Sequence, residues 1–294
     1  MDQDVLVSWF VNIRIPTDPI QASLMEVLNA IKDGITEVEK TVRLISQEQD
    51  HHKRNSLKVM ALPVFTPCGT FSVREDASLI QMSSVICLDL DDVKNPQGVI
   101  NDLRQCPFVL AIFTSPSLTG LKVLILHDLK DPSRNRDLYI HLGNMLSLTG
   151  RNDLTFDTSC TNISRACFMS YSKDMYLNTA ATAFHVDVDT LPIASVPTKE
   201  TRTASSTQSA VTAMPLSETK DIKDTIVKTH DLFEKFHSMY EGKRNTNLFI
   251  LASFFKDNGI PLSYAEDYLV AYYVDPSKGF NAEEIKTTVR SAYK

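Results

Sequence analysis

Three aspartates close the stretch "SVICLDLDDVKNP" (84–96). The run from Val85 to Leu90 has the apolar character of a buried strand, yet it ends on Asp89, Asp91 and Asp92. Side chains alternate along a strand, so Val85, Cys87, Asp89 and Asp91 share one face while Ile86, Leu88 and Leu90 share the other. Two carboxylates on one face repel, and burying either one unpaired is costly; a divalent cation between them removes both problems. Ligation by oxygen alone points to Mg²⁺ or Mn²⁺. The plainer alternative is that Asp89 opens a solvated loop that Asp91 to Lys94 continue.

Two further segments carry matching chemistry. In "FTSPSLTGLKVLILHD" (113–128), Ser115, Ser117, Thr119 and Gly120 cluster in a turn and Lys122 opens the next strand. Hydroxyls, backbone N–H groups and one ammonium suit a triphosphate. An ordinary hairpin turn with a snorkelling lysine would read the same way. In "LTFDTSCTNISRACFMSYS" (154–172), Asp157 offers a third carboxylate and Arg165 a holder for phosphate or carboxylate. Taken alone, Asp157 reads equally as a turn residue or helix cap. No GxxxxGK[ST] loop is present: "EGKRNTN" at Glu241 lacks the upstream glycine and the hydroxyl residue after lysine, which disfavours a P-loop ATPase.

These groups need elements to position them. "VLVSWFVNIRI" reads as a strand and "PIQASLMEVLNAIKDG" as a helix ending at Gly34. "SLKVMALPVFTPCGTFS" reads as short extended pieces, followed by the strand at Val85 to Leu90 and a helix from Pro96 to Arg104. "FVLAIFTSPS" and "GLKVLILHD" form two strands around a tight turn. A helix follows from Arg134 to Leu148, then a strand at "ACFMSYS". The class expected is α+β, with a largely antiparallel or mixed sheet over residues 1–190. Residues 191–220, rich in Ser, Thr, Ala and Pro, read as a flexible linker, and 221–294 as a small bundle of four helical segments.

With 294 residues, 43% of them hydrophobic, the chain can bury a sizeable core. A net charge of -6 excludes a uniformly basic coat, so any polyanion must bind in a local groove. Five cysteines without a CxxC pair fit neither a disulfide framework nor a zinc-site spacing, and the N-terminus lacks a signal-peptide pattern. A cytoplasmic protein without a membrane segment is expected.

The ordered trio "ICLDLD", "SPSLTGLK" and "FD" resembles the archaeo-eukaryotic primase, or prim-pol, superfamily. More specifically, residues 50 to 180 resemble the VirE-type N-terminal domain of bacterial mobile elements, and the C-terminal "GKRNTNLFILASFFKDNGIPLSYAEDYLVAYYV" is similar to a helical primase C-terminal domain. The resemblance implies an RNA-recognition-motif-like sheet holding Mg²⁺ or Mn²⁺ on Asp89, Asp91 and Asp157. Ser115, Ser117, Gly120 and Lys122, with Arg165, would bind a nucleoside triphosphate. It implies nucleotide addition on single-stranded DNA, with any helicase supplied by a separate protein. Where the family often has histidine in its second motif, this chain has Lys122, a point charge without the imidazole's directed hydrogen bond. A catalytically inactive module that binds single-stranded DNA or a replication partner is the alternative. Arg54, Lys58, Arg74, Arg134 and Arg136 are the candidate template contacts, with Lys243, Arg244, Arg290 and Lys294 as further cations in the helical part.

Overall fold

The computed structural model describes residues 5–194, 216–234, 236, 237, 239 and 242–294. The chain divides into two compact units, Met1–Ser195 and Val196–Lys294. The first mixes helices and strands; the second, among the described residues, is helical. No helix among the described residues is long and apolar enough to cross a membrane.

In the first unit the order is β1 (Leu6–Phe10), β2 (Ile20–Ser23), α1 (Leu24–Asp33), α2 (Thr36–Gln47), α3 (His51–Ala61), β3 (Val64–Thr66), β4 (Gly69–Phe71) and β5 (Leu79–Met82). It continues with β6 (Val85–Asp91), α4 (Pro96–Leu103), β7 (Val109–Thr114), β8 (Leu121–Leu126), α5 (Asn135–Met145), β9 (Thr155–Phe156), β10 (Cys167–Phe168) and β11 (Tyr176–Leu177). Five strands join in the order β11-β7-β8-β6-β9, four in the order β10-β3-β1-β2, and β4 pairs β5. Every pairing between these strands is antiparallel.

The alternation in β6 decides which face is core. Ile86, Leu88 and Leu90 are buried with Val123 and Ile125 of β8, Val99 and Leu103 of α4, and Leu138 and Leu142 of α5. Burial of that many branched side chains, at roughly 1.5–3 kcal/mol each, fixes the register of β6. The opposite face, carrying Cys87, Asp89 and Asp91, is left for chemistry. α4 starts on Asn95, whose side chain accepts from Gly98 N–H, with Pro96 in its first turn.

Three differences from the sequence reading have physical causes. Ile20–Ser23 pairs with β1 as an edge strand instead of opening the helix, and Ser23 with Glu26 then forms the capping box that starts α1. The stretch before Pro63 is helical: Asp50 accepts from the N–H groups of His52 and Lys53 and so caps α3. The strand expected at "ACFMSYS" is only two residues long.

The second unit contains α6 (Leu216–Glu234), α7 (Arg244–Asp257), α8 (Leu262–Tyr273) and α9 (Ala282–Tyr293). α6 begins inside the stretch expected to be linker; residues 195–215 of that stretch lie outside the described residues. Two of the cations nominated here are engaged within the unit: Arg290 binds Glu266 at 2.7 Å, and Arg244 lies 3.6 Å from Glu284 and over the ring of Phe280.

Candidate active site

β6 delivers Asp89 where β8 delivers Lys122: the two residues face each other directly in the strand register. Their side chains form an ion pair, 14% and 15% exposed. Burial opposes the Lys122 charge, but the Asp89 carboxylate outweighs it and holds the ammonium above the ordinary lysine value. Lys122 occupies Asp89 Oδ2, whereas Oδ1 is buried without a hydrogen-bond partner.

Asp157 reaches the same place because β9 pairs with the end of β6, through Leu90 with Phe156 and Asp91 with Thr155. One residue further, the Asp157 N–H donates to the Asp89 carbonyl at 3.1 Å. Tyr139 of α5 fastens this junction: its hydroxyl accepts from the Asp89 N–H at 3.1 Å and donates to the Asp157 carbonyl at 2.8 Å. Asp157 Oδ1 then accepts from the N–H and hydroxyl of Ser159, at 2.8 and 2.6 Å. This local turn brings Cys160 back, its thiol donating to Asp157 Oδ2 at 2.8 Å and lying 3.6 Å from Asp89 Oδ2. Burial would raise the Asp157 pKa, yet hydrogen bonds from Cys160 and Ser159 leave it below the ordinary carboxylate value. Burial and the Asp157 contact push the Cys160 thiol up.

One ligand atom from each of Asp89, Asp157 and Cys160 lies within 4.8 Å of the others. The cavity beside them, of about 20 Å³, is lined by Asp89, Lys122, Asn135, Tyr139, Cys160 and Arg165, and also by Cys68, Cys87 and Cys167. It has room for one water or one ion. Asp91, expected as a ligand, stands outside this trio: it is exposed at the strand end, with one oxygen 3.4 Å from where a Gly120 side chain would begin. Desolvation and the nearby Asp89 charge raise its pKa.

The turn after β7 is closed by its own hydroxyls. Ser115 Oγ accepts from the Gly120 N–H at 3.2 Å and contacts Ser117 Oγ at 3.1 Å, which in turn contacts Thr119 Oγ1 at 3.0 Å. Gly120 is required by close approach, because a Cβ there would sit 2.5 Å from the Leu90 carbonyl oxygen. The turn is thereby pressed against the end of β6.

Among the candidate template contacts, Lys58 of α3 is half-buried. Burial and then the Lys122 charge lower its pKa, opposed by Asp91 and Asp89, so these four groups share one electrostatic field. Arg54, one turn earlier, is half-buried and its Nε has no hydrogen-bond partner. Arg165 is exposed and lines the cavity. Arg74 and Arg134 are struts instead: Arg74 donates to the Ile13 carbonyl at 2.5 Å, and Arg134 binds Asp137 and the carbonyls of Val188 and Leu191. Arg136 donates to Thr161 Oγ1 at 3.4 Å and lines a separate groove of about 540 Å³ with Asp76 and Asn162.

Sequence reasoning passed over Cys160, Tyr139 and Asn135. Asp157-x-x-Cys160 carries a signal, since an aspartate-capped turn returns the third residue toward the carboxylate. Asn135 and Tyr139 are four apart, hence on one face of α5, where polar groups interrupt an apolar stripe.

Residues 58–177 match the family described as BT4734-like, N-terminal domain, a stretch that contains β6, the turn, β8 and Asp157. No match was found among curated proteins or among solved structures.

Proposed function

We propose that the chain is a prim-pol-like nucleotidyltransferase of a mobile genetic element, adding nucleotides on single-stranded DNA with a divalent metal ion, Mg²⁺ or Mn²⁺. In this reading residues 1–190 form an RNA-recognition-motif-like catalytic domain and 221–294 a primase C-terminal-like helical domain. The observation that supports it best is the convergence of Asp89 and Asp157, from segments far apart in sequence, beside a cavity lined by Asp89, Lys122 and Arg165. Two neighbouring carboxylates with a lysine beside them suit a metal-bound triphosphate. When bound, one such ion would lower the pKa of the attacking hydroxyl and a second would stabilise the leaving pyrophosphate.

The protein's own groups have separable roles. Asp89 and Asp157 hold the ion, with Asp91 beside them at the rim. Lys122 neutralises Asp89 in the resting site and turns to the triphosphate on binding, an exchange that keeps the local charge balanced. Lys58 and Arg165 add positive charge for phosphates, and Arg54 extends that charge toward a template. Tyr139 sets the spacing of the two strands that carry the aspartates.

One observation favours the rival, an inactive module that binds single-stranded DNA or a replication partner: Asp89 already has a cation in Lys122. Incorporation of a labelled nucleotide on a single-stranded template with Mg²⁺ or Mn²⁺ decides between them. The Asp157→Asn variant keeps Oδ1 for Ser159 and removes the charge together with the acceptor of the Cys160 thiol. Synthesis that drops more than about a hundredfold in this variant supports the enzyme; DNA binding without synthesis, unchanged in the variant, supports the module.

A further inference from the structure

We propose that Asp89, Asp157 and Cys160 bind one zinc-class divalent ion beside the cavity that Asn135 also lines. This rests on the functional reading only in placing an ion on Asp89 and Asp157, and it names a different ion for that position. Spacing supplies the first argument. Zn–S bonds of about 2.3 Å and Zn–O bonds of about 2.0–2.2 Å put neighbouring tetrahedral ligands roughly 3.5 Å apart. Cys160 Sγ already lies 2.8 Å from Asp157 Oδ2 and 3.6 Å from Asp89 Oδ2, so ligation requires Lys122 to leave Asp89 Oδ2 and shifts of about an ångström.

The cavity supplies the second. It admits one small particle, and two of the residues that line it, Asp89 and Asn135, each carry an unsatisfied oxygen. Asp89 Oδ1 has no partner, nor has Asn135 Oδ1, although Asn135 is only 3% exposed. The orientation of that amide is set by its Nδ2, which donates to the Thr161 carbonyl at 3.0 Å. A buried acceptor without a donor calls for a cation or an ordered water.

Charge and softness supply the third. Two carboxylates and a thiolate carry three negative charges against one positive charge each on Lys122 and Arg165, leaving a net negative site that favours a divalent ion. As the sulfur–metal bond forms, the thiol proton leaves to solvent. Mg²⁺ takes oxygen ligands, whereas a thiolate among carboxylates selects zinc and its neighbours. Cys160 is 5% exposed, which shields such a thiolate from competing water.

The test titrates the full chain with Co²⁺, the spectroscopic stand-in for Zn²⁺. The expected result is an intense near-ultraviolet sulfur-to-cobalt charge-transfer band, lost in Cys160→Ser and retained in Cys87→Ser, with Co²⁺ bound at least about tenfold more weakly by Cys160→Ser. Zinc-edge X-ray absorption on the unaltered chain, which needs no variant, should show one sulfur in the first shell. Co²⁺ bound without the band, or a band that survives Cys160→Ser, overturns the thiolate ligand while leaving an ion on the carboxylates. Should neither Co²⁺ nor Mn²⁺ bind in a manner sensitive to Asp157→Asn, both this inference and the metal-dependent reading fail.

Discussion

A carboxylate that is almost out of water needs a positive neighbour, and Asp89 has one in the lysine directly across the strand pair. The pair is a resting arrangement as much as a stabilising one, because removing one partner strands the other. Lys122→Met should lower the unfolding free energy by about 3 kcal/mol, measured by urea denaturation. Adding Asp89→Asn should restore most of the loss. A double variant no more stable than Lys122→Met would mean that the two charges do not depend on each other. Alternation gives each of Asp89 and Lys122 a face of its strand, but their meeting depends on the register between β6 and β8, which the sequence reading did not give. The presence of Cys160 in the cluster does not follow from alternation either, because it depends on Asp157 closing a turn around Ser159.

Among the elements, β6, the Ser115–Gly120 turn and β8 were legible from alternation and turn residues, and so was the split between the apolar and acidic faces of β6. α3 was not. Its only buried apolar residues are Leu57 and Met60, too few for a helical stripe, and its start depends on the Asp50 cap. β2 was misread because an exposed edge strand owes its conformation to its partner and not to its own pattern. The turn yields a direct prediction: Gly120→Ala puts a methyl against the Leu90 carbonyl and should cost about 1–3 kcal/mol by thermal unfolding. An unchanged melting temperature would mean that the turn is free to move away from β6.

At the end of β8, His127 is fully buried, its Nδ1 accepts from the Leu129 N–H at 3.2 Å, and burial pushes its pKa down to about 4. The unfolded chain, with an ordinary histidine near 6.5, binds the proton first. Stability is therefore fully present above about pH 6.5 and is lost as pH falls toward about 4, on the order of 3 kcal/mol from this group. His127→Gln should flatten the stability profile over that window in denaturation series at stepped pH. A profile of the same slope in the variant would assign the acid sensitivity to other groups.

Across the whole molecule, a net charge of -6 coexists with cations gathered around the acidic site, namely Lys58, Lys122 and Arg165. Overall charge thus says little about a polyanion partner; the local field decides. The two-part organisation was visible in composition, although α6 starts earlier than the linker composition suggested, since serine and threonine can serve in a first helical turn. In the proposed reading Asp89 and Asp157 hold an ion against a bound triphosphate. Crystals of the full chain soaked in Mn²⁺ and a nucleoside triphosphate test it most directly. An anomalous manganese peak between Asp89 and Asp157, with Lys122 turned to the phosphates, is the predicted result. A cleft without that peak, with Lys122 still on Asp89, would contradict it.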